Sequence, residues 1–232
     1  KHNGSLTFGE FFLKGKTSKE ILISTYICHP SMANNELSGP VVATYLIKYF
    51  QKLSNYYSIR FLFLPETIGS IAYISKNIKK LKKNVIAGYV LTCIGDNKSY
   101  SFLPTKYNNT LSDRAATSAF KNLNLKYKTY SFLERGSDER QYNSPGIDLP
   151  IASLMRTKYG EYKEYHTSLD NLSFVSEEGL LGGYNLVKET INILMINRIP
   201  KIMVKCEPQL GKRGLYSQIS TKKEDRRRRN LM

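Results

Sequence analysis

The 232-residue chain is 41% hydrophobic and 12% aromatic, enough apolar content for a packed core and outside the range of disordered chains. No apolar run approaches the about 18 residues of a membrane span, and Lys1-His2-Asn3-Gly4 opens no secretory leader, so one large α/β domain or two small ones is expected, in the cytoplasm and without a membrane span. The net charge of +16 raises a nucleic-acid reading, but the stretch 76–83 reads as the solvated end of a helix and a loop, which leaves contact with nucleic acid only to the basic tail Lys222-Lys223-Glu224-Asp225-Arg226-Arg227-Arg228-Arg229.

The three cysteines, Cys28, Cys93 and Cys206, are odd in number and lack a CxxC spacing, so they read as reduced thiols rather than a disulfide framework. The chain begins without Met and is expected to be an excerpt of a longer protein.

In chain order, 20–27 is β-rich and its run Ile21-Leu22-Ile23 predicts a buried parallel strand ending at Cys28-His29. Val42, Tyr45, Leu46, Tyr49, Phe50 and Leu53 recur at helical spacing after Ser38-Gly39-Pro40, with Ser38 as the expected N-cap. A second strand is expected at 59–64, stopped by Pro65, followed by a helix from Gly69-Ser70 to about residue 78. Further elements are a strand at 85–94, a helix at 110–123, a strand at 127–132, a helical turn at 141–144, a strand at 149–155 and a long amphipathic helix at 177–196. Residues 201–206 read as a short strand and 207–220 as loop. Strands alternating with helices predict a mainly parallel sheet covered on both faces.

Two of the three histidines lie in segments expected just after strands, Ile27-Cys28-His29-Pro30-Ser31-Met32-Ala33-Asn34-Asn35-Glu36-Leu37-Ser38-Gly39 and Glu164-Tyr165-His166-Thr167-Ser168-Leu169-Asp170-Asn171-Leu172. Open α/β sheets place their sites at such strand ends, and histidines brought together from separate strands suit a metal centre. The competing reading is a pair of hydrogen-bonded structural histidines. Cys28 and Cys93, as possible nucleophiles, read instead as small buried residues. Ser38 has no G-x-S-x-G setting, so a serine hydrolase is not expected.

The order His-Pro…Asn-x-x-Ser-Gly, Glu-x-x-Gly-Ser, Gly-Ser-Asp and Tyr-His-Thr-Ser-x-Asp-Asn resembles the co-catalytic zinc aminopeptidases and the related glutaminyl cyclases. Residues 28–40, 65–70, 135–142 and 159–172 resemble more closely a bacterial aminopeptidase-like family of unassigned function, associated with surface-polysaccharide biosynthesis. The resemblance covers about residues 5–220. It implies an α/β fold with an open, mixed, mainly parallel sheet sandwiched by helices, of the phosphorylase/hydrolase-like type, over residues 1–205. It makes 206–232 a basic linker and tail leading toward a winged-helix domain.

The resemblance also implies roles for particular residues. His29 and His166 match metal ligands and Glu66 the general base. The bridging Asp is replaced by Asn35, a Glu ligand by Thr67, and the Asp expected near Thr92 or Cys93 has its nearest carboxylate at Asp96. A two-zinc site is therefore not expected. A single zinc held by His29, His166 and Asp138 is, with Glu36 as the competing carboxylate. Glu139 and Arg140 are expected to bind substrate, with Tyr165 lining the pocket beside Tyr159 and Tyr162, or packing a loop. Asp170-Asn171 are expected to orient His166 or shape its turn.

The function so implied is metal-dependent hydrolysis of an amide bond in a peptide or N-acylated sugar, in a chain able to form a homo-oligomer. The alternative is a non-catalytic module that binds a carbohydrate precursor or a protein partner, consistent with the residues at positions 35 and 67.

Overall fold

The computed structural model describes residues 4–29, 31–197, 203, 205–206, 209 and 211–214. Residues 1–197 form one compact unit and 198–232 a second. Half of the expected strand at 201–206 and most of the expected loop at 207–220 lie outside the described residues.

The first unit is built on a seven-stranded sheet of β1 (Gly9–Leu13), β2 (Glu20–Tyr26), β3 (Ser58–Leu64), β4 (Val85–Leu91), β5 (Ser101–Leu103), β6 (Lys128–Thr129) and β7 (Ile151–Met155), in the order β1-β3-β2-β4-β7-β5-β6. The four central strands β3, β2, β4 and β7 are mutually parallel, while β1 pairs antiparallel with β3, and β5 antiparallel with β7. The sheet is thus open, mixed and mainly parallel, as expected.

Alternation along β2 explains the layering. Ile21 and Ile23 face a core shared with α1 (Ser38–Phe50), α3 (Leu111–Asn122) and α5 (Glu177–Ile196). Leu22 faces the opposite core, with Leu62, Val90 and Ile151 under α2 (Ile68–Asn84) and Tyr142 of the short α4 (Glu139–Tyr142). A parallel strand covered on both faces sends alternate residues into two cores in this way. Helix α1 lies so close to the sheet that a Cβ on Gly39 would collide with Thr25 and the Leu91 carbonyl.

Several boundaries differ from expectation for local reasons. Ser38 is not an N-cap, because a π-helical turn, Ala33–Leu37, precedes α1 and Leu37 N–H donates to Met32 O at 3.2 Å. The Ser38 hydroxyl instead donates to Asn34 O and accepts from Ile94 N–H. Helix α2 runs to Asn84, so the lysines at 79–83 are helical rather than loop. The strand expected at 127–132 shrinks to two residues because Ser131 caps a 3₁₀ turn, Phe132–Glu134, by accepting from Leu133 N–H.

The sheet also buries one ion pair. Arg60 on β3 forms a bidentate bond to Glu20 on β2, through Nε at 2.7 Å and Nη2 at 2.9 Å, and Glu10 on β1 takes Nη1. Arg60 and Glu20 are both almost wholly buried. Removing one partner leaves the other charge uncompensated, which costs about 3–5 kcal/mol. Arg60→Met is accordingly expected to lower unfolding stability by that amount, read from the urea midpoint, and a loss under about 1 kcal/mol would show that the pair is not held as described.

Candidate metal centre

The parallel strands β2, β3 and β4 end on one edge of the sheet, and the candidate residues gather there. Strand β2 leads into Cys28-His29, and β3 into Pro65-Glu66. His166 comes from the long connection 156–176 between β7 and α5.

The structure brings His29 and His166 together, with ring centroids 5.4 Å apart. Glu66 Oε2 lies 4.0 Å from His29 Nε2, and Glu66 Oε1 accepts a 2.8 Å bond from the Ser137 hydroxyl. On the other side of the ring, His29 Nδ1 is 3.1 Å from Glu36 Oε2 and 3.4 Å from Cys28 Sγ. Tyr165 stacks on His166 at 4.1 Å. Burial raises the Glu36 carboxyl above its ordinary range, opposed by His29, and pushes the Tyr165 phenol up to about 12.

Three further residues expected at this centre have hydrogen-bond partners of their own. Asp138 is fully buried, and its Oδ1 accepts from Thr67 N–H at 2.7 Å and the Ser70 hydroxyl at 2.8 Å. Glu139 is also fully buried and accepts from Gly136 N–H, Ser137 N–H, Tyr159 OH and the Ser153 hydroxyl. Those four donors saturate it and hold its loop. Arg140 is exposed and donates to the Thr67 hydroxyl at 3.0 Å. Asp138 and Arg140 thus both hold Thr67, a β-branched residue at φ +62°, where L side chains are strained.

The positions lacking the expected acidic ligands are occupied by hydrogen bonds. Asn35 Nδ2 donates to Tyr26 OH at 2.9 Å and to Cys93 Sγ at 3.6 Å. Asp96 accepts from Asn34 Nδ2 and from both the N–H and hydroxyl of Thr157. Cys93 is buried as expected, but Cys28 is exposed, because it sits beyond the strand end rather than within the sheet.

Sequence reasoning missed the part played by Asp170. Its carboxylate accepts from the backbone N–H groups of Asn34 and Asn35, at 2.6 and 3.0 Å, rather than bonding His166. A buried Asp in the histidine motif was visible, but nothing in its spacing identifies a partner so distant in sequence.

Among the described residues, three buried side-chain atoms have no hydrogen-bond partner: Asn35 Oδ1, Glu36 Oε1 and Asp138 Oδ2. All are acceptor oxygens in the candidate motifs. Unsatisfied acceptors of this kind are what a cation or ordered water would complete, and of the three only Glu36 belongs to a carboxylate set against an imidazole, 3.1 Å from His29 Nδ1. The neutral amide at position 35, turned toward Tyr26 and Cys93, does not suit the charge of two adjacent dications.

Burial pushes the Asp138 carboxyl up from 3.8 to about 7, outweighing the bonds from Thr67 and Ser70, and the charges of Glu66 and Glu139 add to the rise. Between those pH values the folded chain holds a proton that the unfolded chain has lost. This contribution to stability is therefore fully present below about pH 3.8 and is lost as pH rises through about 7. Asp138→Asn keeps a neutral acceptor for Thr67 and Ser70. It is expected to flatten this part of the metal-free stability profile, by up to about 4 kcal/mol between about pH 4 and pH 8. Identical urea-unfolding profiles for the two forms would show that this carboxyl titrates normally.

The comparisons agree with this architecture. Residues 1–197 match the family described as domain of unknown function (DUF4910), and residues 198–232 match a winged helix-turn-helix family. A protein of Clostridium acetobutylicum, named for polysaccharide biosynthesis and an aminopeptidase-like domain, is 45% identical over 218 residues, which are 94% of this chain and 50% of that protein. A crystal structure from the same organism, named for a peptidase, is 44% identical with a TM-score of 0.81, covering 89% of this chain and 49% of the other. The zinc aminopeptidase of Bacillus subtilis shares the fold at 17% identity, with a TM-score of 0.69 over 82% of this chain and 50% of that one. The chain spans about half the length of these relatives. No helix among the described residues is long and apolar enough to cross a membrane. By the match over residues 1–197, the chain belongs to the DUF4910 family, with an aminopeptidase-like fold.

Proposed function

We propose that this chain carries the catalytic centre of a cytoplasmic, zinc-dependent hydrolase that cleaves an amide bond in a peptide or an N-acylated sugar during surface-polysaccharide biosynthesis. The observation that carries the reading is the meeting of His29, Glu66 and His166 at one sheet edge from three separate parts of the chain. The relative's name supports the biosynthetic setting, and the shared fold supports the choice of zinc.

One ion would be held first by His29 and the Glu36 carboxylate, whose oxygen lies 3.1 Å from the ring, and His166, with its ring 5.4 Å from that of His29, would close on it as the ion binds. When bound, zinc supplies a Lewis acid and a water of lowered pKa. The chain's own part is proton handling and positioning. The Ser137 hydroxyl fixes Glu66 Oε1, leaving Oε2 to take a proton from water and return it to the leaving amine. Stacking on Tyr165 fixes the His166 ring and gives the cleft an aromatic wall for substrate. Asp138 positions Glu66 through the neighbouring Thr67 N–H.

The non-catalytic alternative has one specific observation in its favour, the Asn35 amide bonded where a charged bridging ligand would serve metal chemistry. The two readings separate on zinc. The unmodified chain is expected to bind one equivalent by calorimetry, and Asn35→Asp to bind it more tightly. No binding to either folded form would establish the non-catalytic module, and two tightly held ions would overturn the single-ion reading.

Glu66→Gln retains the size of the side chain and removes its basicity. It is expected to lower amide hydrolysis by about 100- to 10,000-fold with zinc content unchanged. Unaltered turnover in that variant would remove Glu66 as the base.

A further inference from the structure

Cys28 has no part in the mechanism above, yet it adjoins the same histidine. Its Sγ lies 3.4 Å from His29 Nδ1, and that nitrogen lies 3.1 Å from Glu36 Oε2. The sulfur, a ring nitrogen and a carboxylate oxygen all fall within 4.8 Å of one another, the only such group of His, Cys, Asp and Glu donors among the described residues. Zinc bonds of about 2.3 Å to sulfur and about 2.0–2.2 Å to nitrogen and oxygen place neighbouring ligand atoms roughly 3.3–3.7 Å apart. The three donors therefore need only small displacements to share one ion.

Two further observations point to a ligand. Glu36 Oε1 is buried, belongs to the carboxylate facing His29, and has no hydrogen-bond partner. The Glu66 N–H donates to Cys28 Sγ at 3.1 Å and fixes the sulfur beside the His29 ring. Charge adds a reason. Position 35 offers a neutral amide and position 67 a hydroxyl, so a Cys28 thiolate with the Glu36 carboxylate supplies the two negative charges that balance one dication.

We propose that Cys28 is a thiolate ligand to the same ion as His29 and Glu36, making the centre a mixed sulfur, nitrogen and oxygen site. This rests on the reading of the cleft as a divalent-metal site. As the sulfur–metal bond forms, the thiol proton passes to buffer. Zinc imposes no geometry through its d electrons and can become five-coordinate, so a sulfur ligand beside His166 leaves a place for water. Thiolate also favours zinc and cobalt over magnesium and calcium, which prefer oxygen.

Cobalt(II) titration of the full chain tests the assignment, with Cys206→Ser as the background to remove the other exposed thiol. One equivalent is expected to give visible ligand-field bands together with an intense near-ultraviolet thiolate-to-cobalt band. Cys28→Ser is expected to keep the visible bands and lose the near-ultraviolet one, with circular dichroism confirming an unchanged fold. Visible bands without the charge-transfer band, or a charge-transfer band that survives Cys28→Ser, would overturn the role of Cys28 and leave the metal reading standing. Failure of the folded chain to bind cobalt would overturn both.

Discussion

The centre depends on the way Asp170 holds the π-helical turn. Its two carboxylate oxygens receive the N–H groups of Asn34 and Asn35, and its carbonyl receives that of Ala33. These are backbone donors at the start of a helix, unsatisfied by the helix itself and well suited to an anionic acceptor. The clamp joins the segment carrying His166 to the segment carrying His29. It also fixes the turn from which Asn35 and Glu36 project. Asn34 extends the connection, because its side-chain oxygen accepts from Gly95 and Asp96 N–H and its amide donates to the Asp96 carboxylate. Asp96 in turn holds Thr157 beyond β7. A fully satisfied buried network of this kind rigidifies the sheet edge, and its members reach the loops after β2, β4 and β7.

The same constraint explains why the centre differs from a two-metal arrangement without losing its shape. Asn35 keeps its backbone bond to Asp170 whatever its side chain carries, so exchange of a carboxylate for an amide leaves the turn in place. The amide then donates to Tyr26 and Cys93, which a carboxylate could not do. At position 67 the Asp138 carboxylate, the Ser70 hydroxyl and Arg140 together hold a left-handed threonine. Strain of this type persists only where its surroundings fix it, and here those surroundings also set the direction of Glu66.

Most of the fold was legible because its central strands are buried on both faces. The runs that became β2, β3 and β4 each hold a short apolar stretch, Ile21-Leu22-Ile23, Phe61-Leu62-Phe63-Leu64 and Tyr89-Val90-Leu91, and α5 matched its expected limits because Ser176 caps it by accepting from Gly179 N–H. The edge strand β1 was not legible. Its GEFFL sequence has neither alternation nor a long apolar run, and its pairing with β3 is sustained by Arg60 and Glu10 across the edge. Strand β5 is too short, at three residues, to leave a period. The meeting of the two histidines could be read from their motifs, whereas the surroundings of Asp138 and Glu139 could not. Their two- and four-donor environments, respectively, arise from loops that only the folded chain brings together.

The fold also shows what such a centre costs before any ligand arrives. Three buried oxygens stand without donors, and each unmet acceptor opposes folding by roughly 1–3 kcal/mol. Three apolar clusters offset that cost, one on each face of the sheet and a third, with Cys93, Tyr159, Tyr162 and Tyr165, beside the candidate residues themselves. The sheet supplies the rigidity and the loops at its edge carry the unmet groups, which ties the donor atoms at 28, 29 and 36 to positions set by β2 and the Asp170 clamp. An ion bound there would satisfy groups already fixed in place, so its binding would have little further chain to order.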